Sequence, residues 1–319
     1  MIVGTMTNNL TPEQFDRAFG SILGSAGGDA LGSQYEFGDE HPDDWHPTFG
    51  TGVFGHAVGE WTDDTSMAMP ILEWAAKRGE LPLRHILKRW IEWSEYAKDV
   101  GAQTRSVLRR LDIHSELLEA EAFEASFDQH NRSGRSAGNG SLMRVGPYAL
   151  SSLHKESLEL DTLKQITEWT HYEDDNFVAV ALWSDAIRDA ILTGSFDMLK
   201  SLEATGNGGS THWRIIIADA LDPATHPRRY KDTNGWVVAA FQAALSAVNI
   251  SSSLEEAIEL AIRGGGDTDT VAAITGSLAG AVYGADAVPR KWLSVLHGWP
   301  GYSISELEAM VRQATANNV

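Results

Sequence analysis

Two short acidic clusters in the sequence carry side chains suited to binding a divalent cation. The first is Thr62-Asp63-Asp64-Thr65, and the second is Asp267-Thr268-Asp269-Thr270, which follows three consecutive glycines. Each cluster precedes a run of apolar and small residues with helical periodicity. Thr and Asp at a helix start also satisfy free backbone N–H groups. For either cluster taken alone, ordinary helix capping is therefore favoured over a metal site.

A pair of such clusters favours a metal site over two independent caps. If the two helix starts lie side by side, four carboxylates meet, and like charges at short range raise one another's pKa unless a cation neutralises them. Carboxylate and hydroxyl oxygens, with no cysteine or histidine nearby, select hard cations such as Mg²⁺, Mn²⁺ or Ca²⁺ over zinc. Four acids can hold two ions. The residues predict a dinuclear magnesium-type site, and Asp29 and Glu36 form a thinner third acidic cluster.

A glycine–asparagine loop at residues 135–144 indicates a place for an anion. Its centre, Gly138-Asn139-Gly140, is flanked by Arg135 and Arg144. Glycine and asparagine tolerate positive φ, which turns successive N–H groups inward, so we predict a phosphate cradle with the two arginines as partners. A tight turn is an equal interpretation, because Asn-Gly is a common turn dipeptide. His171 is a lone histidine, for which a structural hydrogen bond is expected unless it lies near this loop.

The elements that must position these residues are predicted to be helices. Thr11-Pro12-Glu13-Gln14 combines an N-cap, a proline at the first helical position and a capping-box partner, and sustained strand alternation is absent. Helices are predicted at 65–78, 83–97, 103–111, 153–168, 177–192, 235–247, 254–262, 271–283 and 304–314, with a solvated helix face at 116–128. The long turn-rich segments are 38–60, 128–146, 205–211 and 222–234. None resembles a linker, so we predict an all-α fold with one compact multi-helix domain over 1–319.

Glycines spaced four residues apart lead into the acidic clusters. The two series are Gly20, Gly24, Gly28 and Gly32, and Gly276, Gly280 and Gly284. Because an interior helical glycine costs about 0.5–1 kcal/mol relative to alanine, a repeated one predicts close approach of another helix backbone. Three tryptophans at helical spacing, Trp74, Trp90 and Trp93, are predicted to lie in the core.

The composition excludes several functional classes. The 319 residues include 44 Asp+Glu, 25 Lys+Arg, 11 His and no Cys, for a net charge of −19. Such acidity disfavours a nucleic-acid partner, and the missing cysteines exclude disulfides, thiolate metal sites and a Cys nucleophile. The first ten residues lack the features of a signal peptide, and the apolar run 271–285 is too short to span a membrane. We expect a cytoplasmic monomer with no membrane partner.

Taken together, the motifs resemble the ADP-ribosylglycohydrolase family in type and in order, from Gly20 to Gly284. The segments that carry the resemblance are Gly24-Ser25-Ala26-Gly27-Gly28-Asp29-Ala30-Leu31-Gly32 with Glu36, Trp61-Thr62-Asp63-Asp64-Thr65, Gly138-Asn139-Gly140 with Met143-Arg144, Thr170-His171, and Gly265-Gly266-Asp267-Thr268-Asp269-Thr270. The resemblance implies a compact all-α fold that hydrolyses an ADP-ribosyl bond with two Mg²⁺ or Mn²⁺ ions.

The resemblance also implies roles for individual residues. The implied metal ligands are Thr62, Asp63, Asp64, Asp267, Asp269 and Thr270. The implied catalytic carboxylates, among them the base that deprotonates water, are Asp63, Asp64, Asp269 and Glu36, the last on a flap near the metals. The implied substrate contacts, around the pyrophosphate and in the ADP-ribose cleft, are Gly101, Gly138, Asn139, Gly140, Ser141 and His171.

The expected substrate is an ADP-ribosylated protein or a small molecule that contains ADP-ribose. We expect cleavage of the N-glycosidic bond to arginine, because segments 59–67 and 138–144 look most like the bacterial branch similar to arginine-specific enzymes. Serine-linked, O-acetyl and base-linked ADP-ribose remain alternatives. Two other classes also remain open. One is a metal-dependent phosphohydrolase that cleaves the pyrophosphate, and the other is a non-catalytic ADP-ribose binder, which would not need all four acids.

Overall fold

The computed structural model describes residues 10–316, and helices account for most of this range. The α-helices are α1 (Pro12–Gly32), α2 (Asp63–Ala76), α3 (Arg84–Ser94), α4 (Ala102–Leu108), α5 (Leu118–Ser133), α6 (Leu160–Glu168), α7 (Asp174–Thr193), α8 (Met198–Ala204), α9 (Thr211–Ala220), α10 (Val237–Ile250), α11 (Leu254–Arg263), α12 (Thr268–Tyr283), α13 (Arg290–Leu293) and α14 (Ile304–Ala314). Short 3₁₀ helices span Asn139–Ser141, Gly146–Ser152, Pro227–Tyr230 and Ala285–Ala287. Strands β1 (His297–Gly298) and β2 (Tyr302–Ser303) pair antiparallel.

The all-α fold class predicted from the sequence is confirmed. Most of the segment inspected for a signal peptide, and both ends of the predicted 1–319 domain, lie outside the described residues. Within residues 10–316, none of the helices combines the length and the apolar character needed to cross a membrane.

Helices α1 and α12 cross in direct backbone contact, which confirms the prediction from the glycine series. A Cβ atom on Gly276 would lie 2.0 Å from the carbonyl oxygen of Gly24, and one on Gly24 would lie 2.3 Å from that of Gly276. Only hydrogen fits at these positions, since atoms this close overlap. The contact continues to the end of α1, where the Thr268 hydroxyl donates to the Gly32 carbonyl at 2.9 Å. The crossing therefore places the last turn of α1 beside the first turn of α12.

The capping box at the start of α1 and the tryptophan core are also confirmed. The Gln14 amide donates to Thr11 Oγ1 at 3.2 Å, and the Thr11 amide donates to Gln14 Oε1 at 3.0 Å. Trp74, Trp90 and Trp93 are buried. Trp90 also donates from its indole nitrogen to the Met67 carbonyl at 2.9 Å, so its polar atom is satisfied in the core.

The helix predicted at 153–168 begins only at Leu160, which corrects that prediction. The guanidinium of Arg188 donates to the carbonyls of Ser152, Lys155 and Glu156. The Ser152 carbonyl also accepts from the Lys155 amide at 3.1 Å, an i to i+3 bond, so the segment that Arg188 contacts departs from the α-helical pattern. The other helices for which a range was predicted are present, and their ends differ from the predicted ends by no more than three residues.

Four α-helices were predicted only in part or not at all. The acidic stretch 116–128 lies in α5, which continues to Ser133 and so enters the segment predicted as turn. Helices α8, α9 and α13 had no predicted counterpart. In α9 the isoleucine run at 215–217 fits either a strand or a helix. Ser210 resolves the ambiguity locally, since its hydroxyl accepts from the Trp213 amide at 3.2 Å and caps α9.

Candidate active site

The site begins with a buried aspartate of α1 that holds the start of α2. Asp29 is fully buried, and its Oδ1 accepts from the Thr62 amide at 2.9 Å and from the Thr62 hydroxyl at 2.8 Å. Its Oδ2 accepts from the Thr65 amide at 2.9 Å. Asp29 thus caps α2 from a neighbouring helix, while the Thr62 side chain makes no capping bond of its own. Thr62 is thereby left free to face the other acids.

The starts of α2 and α12 converge, and their carboxylates form two overlapping groups. Oxygens of Asp29, Asp64 and Asp269 lie within 4.8 Å of one another, and so do oxygens of Glu36, Asp267 and Asp269. Asp269 belongs to both groups. The Thr62 hydroxyl is 3.1 Å from Asp64 Oδ2 and 3.5 Å from Asp269 Oδ2. This geometry offers two positions for a cation, and both positions would share the Asp269 carboxylate.

The remaining predicted ligands lie at the edge of these groups. Asp63 belongs to neither group, and its Oδ2 faces Gly101, whose Cβ position would be 4.0 Å away. Thr270 donates its amide to Asp269 Oδ1 at 3.0 Å. Asp29 has a larger part in the site than the sequence indicated. Its position among glycines that pack against another helix could have indicated this role, because a carboxylate that is buried there must have hydrogen-bond partners.

Burial and mutual repulsion raise the pKa values of these carboxyls above their ordinary range. Burial raises the pKa of Glu36 to about 9, with further contributions from Asp267 and Asp99. Burial raises the pKa of Asp63 to about 8, again with a contribution from Asp99. The pKa values of Asp64 and Asp269 are raised well above the usual range by burial and by neighbouring acids.

Two of these buried oxygens have no hydrogen-bond partner among the described residues, namely Asp64 Oδ1 and Glu36 Oε2. An unpartnered buried carboxylate oxygen is costly, and a cation would remove that cost. The donor set consists of oxygens, which hard divalent cations prefer. The residues present therefore fit a divalent cation site.

A cavity of about 380 Å³ lies over the acids and brings most of the predicted site residues together. The predicted residues that line it are Glu36, Asp63, Gly101, Gly138, Asn139, Gly140, His171, Asp267, Asp269 and Thr270. We call it the loop cavity. Three predicted residues, Thr62, Asp64 and Ser141, are buried and are not part of its lining. Asp99 and Gln103 line it without having been predicted, since isolated polar residues before a short helix carry no distinctive spacing.

The glycine–asparagine loop has a different conformation from the predicted nest. Gly138 has a φ of −64°, and Asn139–Ser141 forms one 3₁₀ turn, so the expected positive φ values are wrong here. The side chain of Asn176 explains the difference, because its amide donates to the Gly138 carbonyl at 2.7 Å and to Ser141 Oγ at 2.8 Å. Asn139 turns toward the acids and donates to Asp267 Oδ2 at 2.7 Å. The loop and the acid groups are thus directly joined.

Arg144 does not face the loop cavity, which corrects its prediction as a phosphate partner. Its side chain is buried, its guanidinium stacks 3.9 Å from the Trp90 ring centre, and it donates to Thr170 Oγ1 at 2.7 Å. Arg135 is exposed and lines a neighbouring cavity with Gly138 and Trp236. Neither arginine is part of the loop cavity's lining.

His171 meets the condition set for a functional role, because it lies against the loop. A Cβ on Gly140 would be 3.1 Å from its Nε2. Thr170 Oγ1 is 2.8 Å from Nδ1, and the same hydroxyl accepts from Arg144 at 2.7 Å. Burial, and then the charge of Arg144, lowers the pKa of His171 well below its usual value. The ring is therefore neutral near physiological pH, and its Nε2 edge faces the loop.

Comparison with known proteins identifies the class of this site as that of hydrolases acting on glycosyl bonds. A profile of the family ADP-ribosylglycohydrolase matches residues 10–318. The chain belongs to the ADP-ribosylglycohydrolase family, as the motifs of the sequence indicated.

Individual relatives and a solved structure agree with this assignment. The ADP-ribosylarginine hydrolase Tri1 of Pseudomonas putida (strain GB-1) is 32% identical over 295 residues, which cover 89% of this chain and 75% of the relative. The ADP-ribosyl-[dinitrogen reductase] glycohydrolase of Rhodospirillum rubrum is 29% identical over 293 residues, covering 89% and 92%. A solved structure, an ADP-ribosylglycohydrolase-related protein complex, superposes with a TM-score of 0.74 at 28% identity and covers 97% of this chain and 100% of that one.

Proposed function

We propose that this chain is a divalent-cation-dependent hydrolase that releases ADP-ribose from modified arginine side chains of proteins. The observation that carries the proposal is Asp269, which takes part in two carboxylate groups directly under the loop cavity. The choice of arginine rests on relatives whose names state that activity, at 32% and 29% identity. Serine-linked, O-acetyl and base-linked ADP-ribose are the alternative substrates.

The cations of the proposal are two Mg²⁺ or Mn²⁺ ions. Asp64 and Asp269 with Thr62 would hold one, and Glu36, Asp267 and Asp269 the other. Asp29 is a positioning residue, because its oxygens already accept three hydrogen bonds from α2 and Thr62. When bound, the ions supply positive charge that orients ribose hydroxyls and makes water more acidic.

Other residues of the loop cavity would bind the pyrophosphate or transfer a proton. The Nε2 atom of His171 lies beside Gly138 and Gly140 and, when it carries the ring proton, would be a neutral donor for the pyrophosphate. Asp63 lines the cavity outside both ligand groups. A cation bound nearby would favour the ionised form of this carboxyl, which would then take the proton from water. Glycoside cleavage has an oxocarbenium-like transition state, which the nearby carboxylates stabilise.

The adenine is expected to stack on Trp236. A neighbouring cavity shares Gln103, Gly138 and Gly235 with the loop cavity and ends at Trp236, whose ring is 43% exposed. Because stacking a base on an aromatic ring contributes about 1–3 kcal/mol, Trp236→Ala should raise KM roughly tenfold with kcat nearly unchanged. Steady-state kinetics on an ADP-ribosylated peptide would measure this, with the exposed Ile215→Ala as control. A fall in kcat at constant KM would contradict the assignment.

Cation binding should stabilise the fold more at about pH 8 than at about pH 6. Glu36 and Asp63, with pKa values raised to about 9 and about 8, must lose protons before their oxygens carry full charge. In the metal-free chain the sign is opposite, because the unfolded carboxyls ionise near pH 4. The stability from these groups is complete below that pH and is lost as the pH rises toward 9.

Excess Mg²⁺ or Mn²⁺ should therefore raise Tm by roughly 5 °C over the EDTA-treated protein, and by more at the higher pH. Differential scanning calorimetry at both pH values would measure the shift. Equal Tm values with and without the ion at pH 8 would contradict the cation site.

The proposed function is tested with separate peptides that carry ADP-ribose on arginine and on serine. The expected result is release of free ADP-ribose from the arginine peptide in the presence of Mg²⁺, with little release from the serine peptide. Preferential release from serine would overturn the linkage. Release of AMP would identify a phosphohydrolase, and tight ADP-ribose binding without turnover would identify a binder.

A further inference from the structure

A second cavity, of about 500 Å³, adjoins the loop cavity on the other side of the acidic wall. Asp63 and Asp99 line both cavities. The aromatic residues that line the second one are Trp61, Trp93, Tyr96, Trp299 and Tyr302. We call it the aromatic groove.

An enzyme that cleaves a glycosidic bond must bind both the sugar and the leaving group. If ADP-ribose fills the loop cavity, its anomeric carbon lies at the acids, and the leaving group continues across the wall formed by Asp63 and Asp99. We propose that the aromatic groove binds the segment of the modified protein that carries the ADP-ribosylated arginine. This inference rests on the proposed function and names the part of the substrate that the metal site and loop cavity do not bind.

The chemistry of the groove fits a cationic, guanidinium-bearing segment. Its lysine, Lys98, is already paired with Glu60 at 2.6 Å, and the histidines that line it are His56 and His297. Glu60 accepts in addition from the Ala57 amide at 2.7 Å. The carboxyl groups of Asp63 and Asp99 line the wall and offer oxygen acceptors to a guanidinium. A guanidinium stacks on aromatic faces and pairs with carboxylates, so rings beside acids are complementary to arginine.

The floor of the groove is rigid, whereas its rim carries an exposed ring. Trp61 donates from its indole nitrogen to the Trp299 carbonyl at 3.2 Å, and a Cβ on Gly298 would lie 2.4 Å from that nitrogen. Arg89 stacks 4.4 Å from the Trp299 ring centre. In contrast, Tyr96 is 82% exposed although it lines the groove. A preformed aromatic floor with an unburied ring at its edge is suited to receiving a peptide.

The test compares two substrates that differ only on the leaving-group side. One is ADP-ribosyl-agmatine, which offers a guanidinium and a short chain, and the other is a peptide of about ten residues ADP-ribosylated on arginine. Tyr96 is not part of the loop cavity. Tyr96→Ala should lower kcat/KM on the peptide about tenfold and change it less than twofold on ADP-ribosyl-agmatine. Tyr96→Phe should retain most of the peptide activity, and Ile215→Ala, an exposed apolar residue on α9, should change neither.

Each outcome decides the inference. An equal fall on both substrates would show that Tyr96 acts on the fold or on the acids, and no change on the peptide would show that the groove does not bind it. Either result would overturn the inference while leaving the proposed function in place. If the wild-type protein releases ADP-ribose from neither substrate, the proposed function fails, and the inference fails with it.

Discussion

Asp269→Asn is expected to lower the turnover of an arginine-ADP-ribosylated peptide by a factor on the order of 10³ or more. The reason is geometric, because Asp269 is the carboxylate that the two ligand groups share. Asparagine has nearly the same shape but carries no charge, so the change removes charge from both cation positions at once. Steady-state turnover and the Tm shift on adding Mn²⁺ would be measured together, and both should be lost.

A matched control is a buried aspartate elsewhere in the chain. Asp185 in α7 is also buried with a pKa raised by burial, and it belongs to neither ligand group. Asp185→Asn should keep near-normal turnover and the full Tm shift with Mn²⁺. If Asp269→Asn retained turnover within tenfold of the wild-type value, with an intact helical circular dichroism spectrum, the shared-carboxylate site would be wrong.

The second large effect is expected at the crossing of α1 and α12. Gly276→Ala should lower the free energy of unfolding by about 3 kcal/mol or more, and Gly276→Val should prevent the folded protein from accumulating. A new Cβ would lie 2.0 Å from the Gly24 carbonyl oxygen, and neither backbone can move without separating the helices. The same separation would pull the start of α12 away from Asp29, so cation binding should weaken with stability.

Urea unfolding followed by circular dichroism would measure the effect. Gly209→Ala is the control, because Gly209 has no heavy atom within 4 Å of its Cβ position and its φ is not positive. That variant should stay within about 0.5 kcal/mol of the wild-type protein. Equal stability of the Gly276→Ala and Gly209→Ala variants would contradict the close crossing.

The sequence predicted most of the helices and the two acidic clusters, because helical periodicity and acidic residues at helix starts can both be recognised within short stretches of chain. Helical periodicity located most helices. The four-residue spacing within the two glycine series, to which Gly24 and Gly276 belong, predicted the backbone contact that the structure shows. The pattern of acids at two helix starts was enough to predict that Asp64 and Asp269 would meet. Their roles as ligands remain predictions.

Long-range side-chain contacts account for what the sequence did not predict. Arg188 binds the carbonyls of Ser152, Lys155 and Glu156 where a helix was predicted. Asn176 holds the glycine–asparagine loop in a 3₁₀ turn. Arg144 lies in the core over Trp90 and donates to Thr170, whose hydroxyl lies beside His171. No local spacing marks such partners, since each joins residues far apart in the chain.

The most direct test of the account is the reloading of metal-free protein with Mg²⁺ while ADP-ribose release from an arginine-modified peptide is followed. Protein dialysed against EDTA should release essentially none, and added Mg²⁺ should restore full release, with free ADP-ribose as the product. The Asp269→Asn variant should not respond to the added ion. Undiminished release by the metal-free protein, or a product other than ADP-ribose, would contradict the assignment of the clustered carboxylates as a cation-dependent glycohydrolase site.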